Sequence, residues 1–122
     1  MKSLRIAAVG AALLFAGSAQ AMTVAEFVRR ADAVVASGPL ALLSTDLPIL
    51  RAEVRSSIAA LRTEEAAGRR RGRAPFCLPA PGTQIDPFEM LAELRSLPAA
   101  QQRRLQLRDG MRVVATRRFR CR

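Results

Sequence analysis

The chain has 122 residues, 20 basic against 10 acidic for a formal net charge of +10, and contains no histidine, tyrosine or tryptophan and only two cysteines. That inventory excludes histidine-based triads, histidine general bases, histidine metal sites and the common zinc-finger ligand sets. The length allows one small domain.

The first segment reads as an address rather than as part of that domain. Met1 to Arg5 carries Lys2 and Arg5, Ile6 to Phe15 is an apolar run, and Ala19-Gln20-Ala21 has the small-x-small pattern of a signal-peptidase site. This predicts a secretory signal over residues 1–21, cleaved before Met22. Its ten apolar residues fall short of the roughly 20 needed to span a bilayer, and no later segment competes with it. No cysteine lies near the cut and no twin arginine precedes the apolar run, so neither a lipoprotein nor a folded-export signal is indicated. The expected mature form is residues 22–122, a single helical domain of 101 residues and net charge +8 whose 18 basic residues are all arginine. It is expected in the periplasm, with no stable membrane insertion after cleavage.

Thr23 and Glu26 form a capping box, and Val24, Phe27, Val28, Ala31 and Val35 recur at helical spacing up to Gly38, a left-handed stop. The first helix is therefore expected over about Val24 to Ser37. Pro39 with Leu40, Leu42 and Leu43 predicts a short buried turn or a single helical turn, and a dimer contact is the alternative use of those leucines. Ser44, Thr45 and Asp46 are candidate caps for a second helix, in which Leu47, Leu50, Val54, Ile58 and Leu61 continue the stripe for about 20 residues to Gly68. Pro48 is tolerated in its first turn.

From Gly68 to Thr83 the periodicity disappears into Arg69, Arg70, Arg71, Arg73, Pro75, Pro79, Pro81 and Gly82, which predicts one long loop. Asp86 as N-cap, Pro87 in the first turn and the Glu89 carboxylate then open a helix with Phe88, Leu91 and Leu94 on one side, and Pro98 ends or restarts it. A last helix is expected to start between Leu107 and Asp109. Met111, Val114, Ala115 and Phe119 face inward, with Arg117, Arg118 and Arg120 at the end where the macrodipole favours cations. No segment alternates as a strand does. The reading is an all-α compact bundle of four to five helices with one intrachain disulfide.

In an oxidising compartment Cys77 and Cys121 point to a bridge, since they lack redox spacing and no metal set can be completed around them. Closing that loop stabilises a fold by about 4 kcal/mol in the chain-entropy model. Arg69, Arg70, Arg71 and Arg73 are the densest positive charge, a candidate contact for an acidic partner or a solvated loop. Nucleic acid is not expected, because Phe76 is the one ring near that charge. Several of the ten carboxylates cap helices, no catalytic pair stands out, and Arg62 is a candidate ion-pair partner for Glu65. Ser56 and Ser57 read as helix-surface residues with no histidine to activate them. No catalytic, metal or cofactor site is expected.

The order of export signal, Met22-Thr23-Val24-Ala25-Glu26-Phe27, Gly38-Pro39-Leu40-Ala41-Leu42, a long helix, Phe76-Cys77-Leu78-Pro79 and Arg118-Phe119-Arg120-Cys121 resembles the Rap/Tai family of small bacterial periplasmic immunity proteins. The resemblance spans nearly all of the mature chain and rests on order and spacing. It implies a compact helical domain, commonly homodimeric, with Cys77 and Cys121 as the bridging pair, that protects a producing cell from peptidoglycan amidases delivered by type VI secretion. One departure is Arg120, where the family's usual ending has a proline before the last cysteine. The implied mechanism is occlusion of an amidase cleft. The alternative is a basic envelope protein that binds lipopolysaccharide or anionic lipid head groups through its arginines.

Overall fold

A computed structural model describes residues 21–122. The expected leader falls on residues 1–20, outside the described part, apart from its last residue, Ala21. Five α-helices follow in order: α1 (Val24–Ala36), α2 (Asp46–Arg70), α3 (Pro87–Arg95), α4 (Ala99–Arg104) and α5 (Leu107–Arg118), with a 3-10 helix over Gly38–Leu43 between α1 and α2. There is no strand among the described residues; Thr23 and Gln106 make one isolated antiparallel bridge. The all-α bundle expected from the periodicity is present.

Local chemistry accounts for the helix starts. Thr23 caps α1 by accepting the N–H of Glu26 on Oγ1 (3.1 Å), and Asp86 caps α3 by accepting the N–H of Phe88 (2.8 Å), with Pro87 in the first turn as expected. Pro98 restarts the chain as the N-cap of α4. The α1 end is set by Gly38, whose φ of 55° is the left-handed conformation the sequence predicts. Ahead of α2 the side-chain cap comes from Ser44, which accepts the N–H of Asp46 at 3.2 Å.

The core gathers Val24, Phe27 and Val28 of α1, Leu61 of α2, Leu94 of α3 and Met111, Val114 and Ala115 of α5 around Phe76, which is fully buried. α2 packs on α5, and α1 packs on α2, α3 and α4. The strand-like segment just before α1 lies along the α4–α5 junction: Val24 N–H donates to the Leu105 carbonyl (2.9 Å) and Leu107 N–H donates to that of Met22 (2.8 Å).

Several sequence expectations are corrected. Leu40, Leu42 and Leu43 are 64%, 78% and 79% exposed, so the 3-10 turn is an outer surface and not a buried one. On α1 Val34 is buried and Val35 is half-exposed, although at 3.6 residues per turn Val35 shares the face of Val24, Val28 and Ala31; it lies in the last turn of the helix, where that face has run past the core. Phe88, expected beside Leu91 and Leu94, is exposed, since it sits in the first turn of α3 where nothing packs over it. Ser57 is buried, whereas Ser56 is on the surface as expected.

Gly68 does not end α2. The helix runs 25 residues to Arg70, and the glycine serves close packing: a Cβ there would lie 2.7 Å from the Arg73 carbonyl oxygen and 2.8 Å from Pro75 Cδ. The chain doubles back over its own helix at that point, with Arg73 N–H donating to the Gly68 carbonyl (2.9 Å).

Candidate functional site

The non-helical crossing between α2 and α3 is held at several points. The Cys77–Cys121 bridge is formed, with a Cα–Cα distance of 5.0 Å, and beside it Cys77 N–H donates to the Phe119 carbonyl (2.7 Å). The next residue, Leu78, donates its N–H to Oε2 of Glu65, a buried carboxylate on α2 that also meets Arg69 at 3.2 Å. Arg62, one turn earlier, donates to the Pro79 carbonyl (3.1 Å). The expected Arg62–Glu65 pair is not made. Glu65 pairs instead with the arginine four residues on, the favoured acidic-before-basic order on a helix.

This anchoring defines what the arginine run does. Arg69 and Arg70 form the last turn of α2, Arg71 is its C-cap, and only Arg73 lies beyond it, so the run is half helix end and half loop. Carbonyls left open at a helix C-terminus favour cations there. All four side chains belong to exposed residues. Arg69 is engaged by Glu65, while Arg70, Arg71 and Arg73 have no carboxylate within ion-pair distance among the described residues. The outcome is a tip of three unneutralised guanidinium groups on an anchored backbone.

Elsewhere Arg30, Arg95, Arg108, Arg112 and Arg118 meet carboxylates, while Arg29, Arg51, Arg55, Arg62, Arg103, Arg104, Arg117, Arg120 and Arg122 have none within ion-pair distance among the described residues. Arg95 of α3 pairs with Asp32 of α1, and Arg118 of α5 pairs with Glu89 and Glu93 of α3. Arg112 of α5 donates to Glu64 (2.7 Å) and Asp109 (2.8 Å), and these bonds, Glu64 first, raise its pKa above the ordinary arginine value against the opposing effect of burial. Because the folded-state value is raised, the stability contributed by this guanidinium is fully present below the unfolded pKa and is lost only in strong alkali. No group of three or more potential metal-ligating side chains is found among the described residues. None of the described helices is long and apolar enough to cross a membrane.

Two features are decided only by the three-dimensional arrangement. Phe76, the one ring adjacent to the arginines in sequence, is in the core and offers no face for stacking. The second is an apolar surface at the other end of α2. Leu40, Leu42 and Leu43 of the 3-10 turn, Val35 of α1 and Ile49 in the first turn of α2 are all exposed large apolar residues on elements that pack together. Residues 38–45 carry no charge. At 1.5 Å per residue the length of α2 puts this patch about 35 Å from the arginine tip.

No family model, curated protein or solved structure matches the chain.

Proposed function

We propose that the mature chain is a periplasmic immunity protein of Rap/Tai type that binds a type VI secreted peptidoglycan amidase and covers its catalytic cleft, performing no chemistry itself. The observation that carries this reading is the exposed, unneutralised arginine tip of Arg70, Arg71 and Arg73, anchored between the end of α2 and the Cys77–Cys121 bridge. Preorganisation of this kind suits inhibition by occlusion. An anchored backbone loses little conformational freedom on binding, and several guanidinium groups steer an acidic rim into register. Arg69 supports the tip through Glu65 more than it contacts a partner.

A second copy of the chain is the natural occupant of the leucine surface. A chain of mature charge +8 repels itself over most of its exterior, and the uncharged stretch around Leu40, Leu42 and Leu43 is where two copies meet without juxtaposing arginines. Pairing there leaves the two arginine tips directed away from the dimer contact, each free for a partner.

The test is protection. Cells that export type VI peptidoglycan amidases one at a time to their own periplasm lyse, and co-export of this chain is expected to rescue growth against one of them. Rescue against none contradicts the reading. The same three arginines also suit the phosphates of lipopolysaccharide, the second reading, for which binding falls steeply and without selectivity as salt rises.

A further inference from the structure

A small apolar cavity lies between α2, α3 and α5, next to the anchored crossing. Its walls include the side chains of Leu61, Leu78, Met90, Met111, Val114 and Phe119. Two of these, Leu78 and Phe119, belong to the adjacent segments joined by the disulfide, so the bridge holds this part of the wall in place. The space is about 50 Å³. Sites for drug-sized ligands and cofactors run to several hundred Å³, so this one excludes a nucleotide, a cofactor or a lipid tail and has room for the end of one aliphatic side chain. Two methionines make the lining adaptable in shape.

The rim carries two arginines in different electrostatic states. Arg118 is balanced by Glu89 and Glu93. Arg62 donates only to the Pro79 carbonyl, and no carboxylate is within ion-pair distance of it among the described residues. One open apolar socket thus has one uncompensated cation at its edge.

We propose that this cavity is the anchor socket for a protein partner, accepting one leucine-sized side chain whose neighbouring residue is acidic and meets Arg62. The partner's identity as an amidase rests on the function proposed above; the socket and its preference do not. A buried aliphatic anchor with a charge-assisted bond beside it is the arrangement that concentrates binding energy at an interface. It also places the anchor on the same disulfide-held crossing as the arginine tip, so one partner can engage both.

The probes are three blocked tripeptides, acetylated and amidated: Asp-Leu-Asp, Asp-Ala-Asp and Lys-Leu-Lys, titrated into the oxidised chain beginning at Met22 and followed by methyl chemical shifts. The expected result is saturable shifts of Leu61, Met111 and Val114 methyls with Asp-Leu-Asp at a Kd on the order of millimolar, with the other two peptides at least about tenfold weaker, a difference of about 1.4 kcal/mol. Arg62→Gln is expected to remove the advantage over Lys-Leu-Lys and keep that over Asp-Ala-Asp. Ala115→Val, which adds volume at the cavity wall, is expected to abolish binding at unchanged or higher Tm. Absence of methyl shifts with every peptide, or equal affinity for Asp-Leu-Asp and Lys-Leu-Lys in the unaltered chain, overturns the socket. Because no amidase is used, that result leaves the immunity reading to its own test.

Discussion

The Glu65 carboxylate on α2 receives the backbone N–H of Leu78, thirteen residues further along the chain. The contact is buried on the carboxylate side and joins the longest helix to the residue that follows Cys77. Removing the acceptor strands a donor, which costs more than the bond itself is worth. Glu65→Ala is expected to lower unfolding free energy by about 2 to 3 kcal/mol, and Glu65→Gln by roughly half of that, since the amide oxygen still accepts. Urea denaturation with an unchanged slope checks it. A loss under about 0.5 kcal/mol for Glu65→Ala would mean the crossing is held without this contact.

Reduction of Cys77–Cys121 should lower stability by about 4 kcal/mol in the chain-entropy model. The oxidised form is expected to migrate faster on a non-reducing gel. After reduction, hydrogen exchange should accelerate first at Cys77 N–H, whose acceptor is Phe119. Two free thiols in the protein purified without reductant would contradict the bridge.

Gly110 sits in the interior of α5 against Val24, where an added Cβ would come within 2.4 Å of Val24 Cγ2. Alanine ordinarily stabilises a helix interior by about 1 kcal/mol relative to glycine. Here the clash reverses the sign, because Val24 is branched at Cβ and fully buried and cannot swing aside. Gly110→Ala is expected to lose about 1 to 2 kcal/mol, the range for an overpacked core. The loss should shrink when combined with Val24→Ala. Additive effects in that cycle would show that the two residues do not press on each other.

These contacts mark where the sequence could be read and where it could not. The helices were legible because Thr23, Asp86, Pro87 and Gly38 act within one turn of themselves, so capping and stopping chemistry is written in adjacent letters. The bridge was legible because two cysteines leave a single pairing. Gly68 and Gly110 were not, since each answers to residues brought near by folding: Arg73 and Pro75 for one, Val24 for the other. The leucines of the 3-10 turn stood open between a buried turn and an exposed contact for a related reason. Apolar periodicity reports which face of an element is apolar, and cannot report whether the fold supplies a neighbour to cover it. For the candidate site, the arginine run was visible as charge. Its division into Arg69 held by Glu65 and three unpaired guanidinium groups required the three-dimensional arrangement.

That division changes the mutation to make. Replacing Arg70, Arg71 and Arg73 with serine should leave stability within about 0.5 kcal/mol, as expected of exposed side chains without partners. Adding Arg69→Ser should cost a further fraction of a kcal/mol by releasing its pair with Glu65. Thermal denaturation of the triple and quadruple variants checks both. Partner binding, measured by calorimetry at physiological salt, should weaken in the triple variant; unchanged affinity removes the tip from the interface.

The leucine surface predicts an oligomer. Sedimentation is expected to show a dimer that Leu42→Asp with Leu43→Asp converts to a monomer with little change in Tm, since both residues are already more than three-quarters exposed. A monomeric unaltered chain at the highest accessible concentration contradicts that contact.

The most direct test of the central claim is capture. The chain from Met22 onward, immobilised and oxidised, is incubated with periplasmic and type VI secreted fractions, washed at increasing salt, and the retained material identified by mass spectrometry. The account predicts one peptidoglycan amidase, retained in stoichiometric amount after long-range attraction has been screened at about 0.5 M salt and inactive on peptidoglycan while bound. Recovery of anionic envelope material alone, released as the salt rises, would contradict it and assign the arginines to polyanion binding.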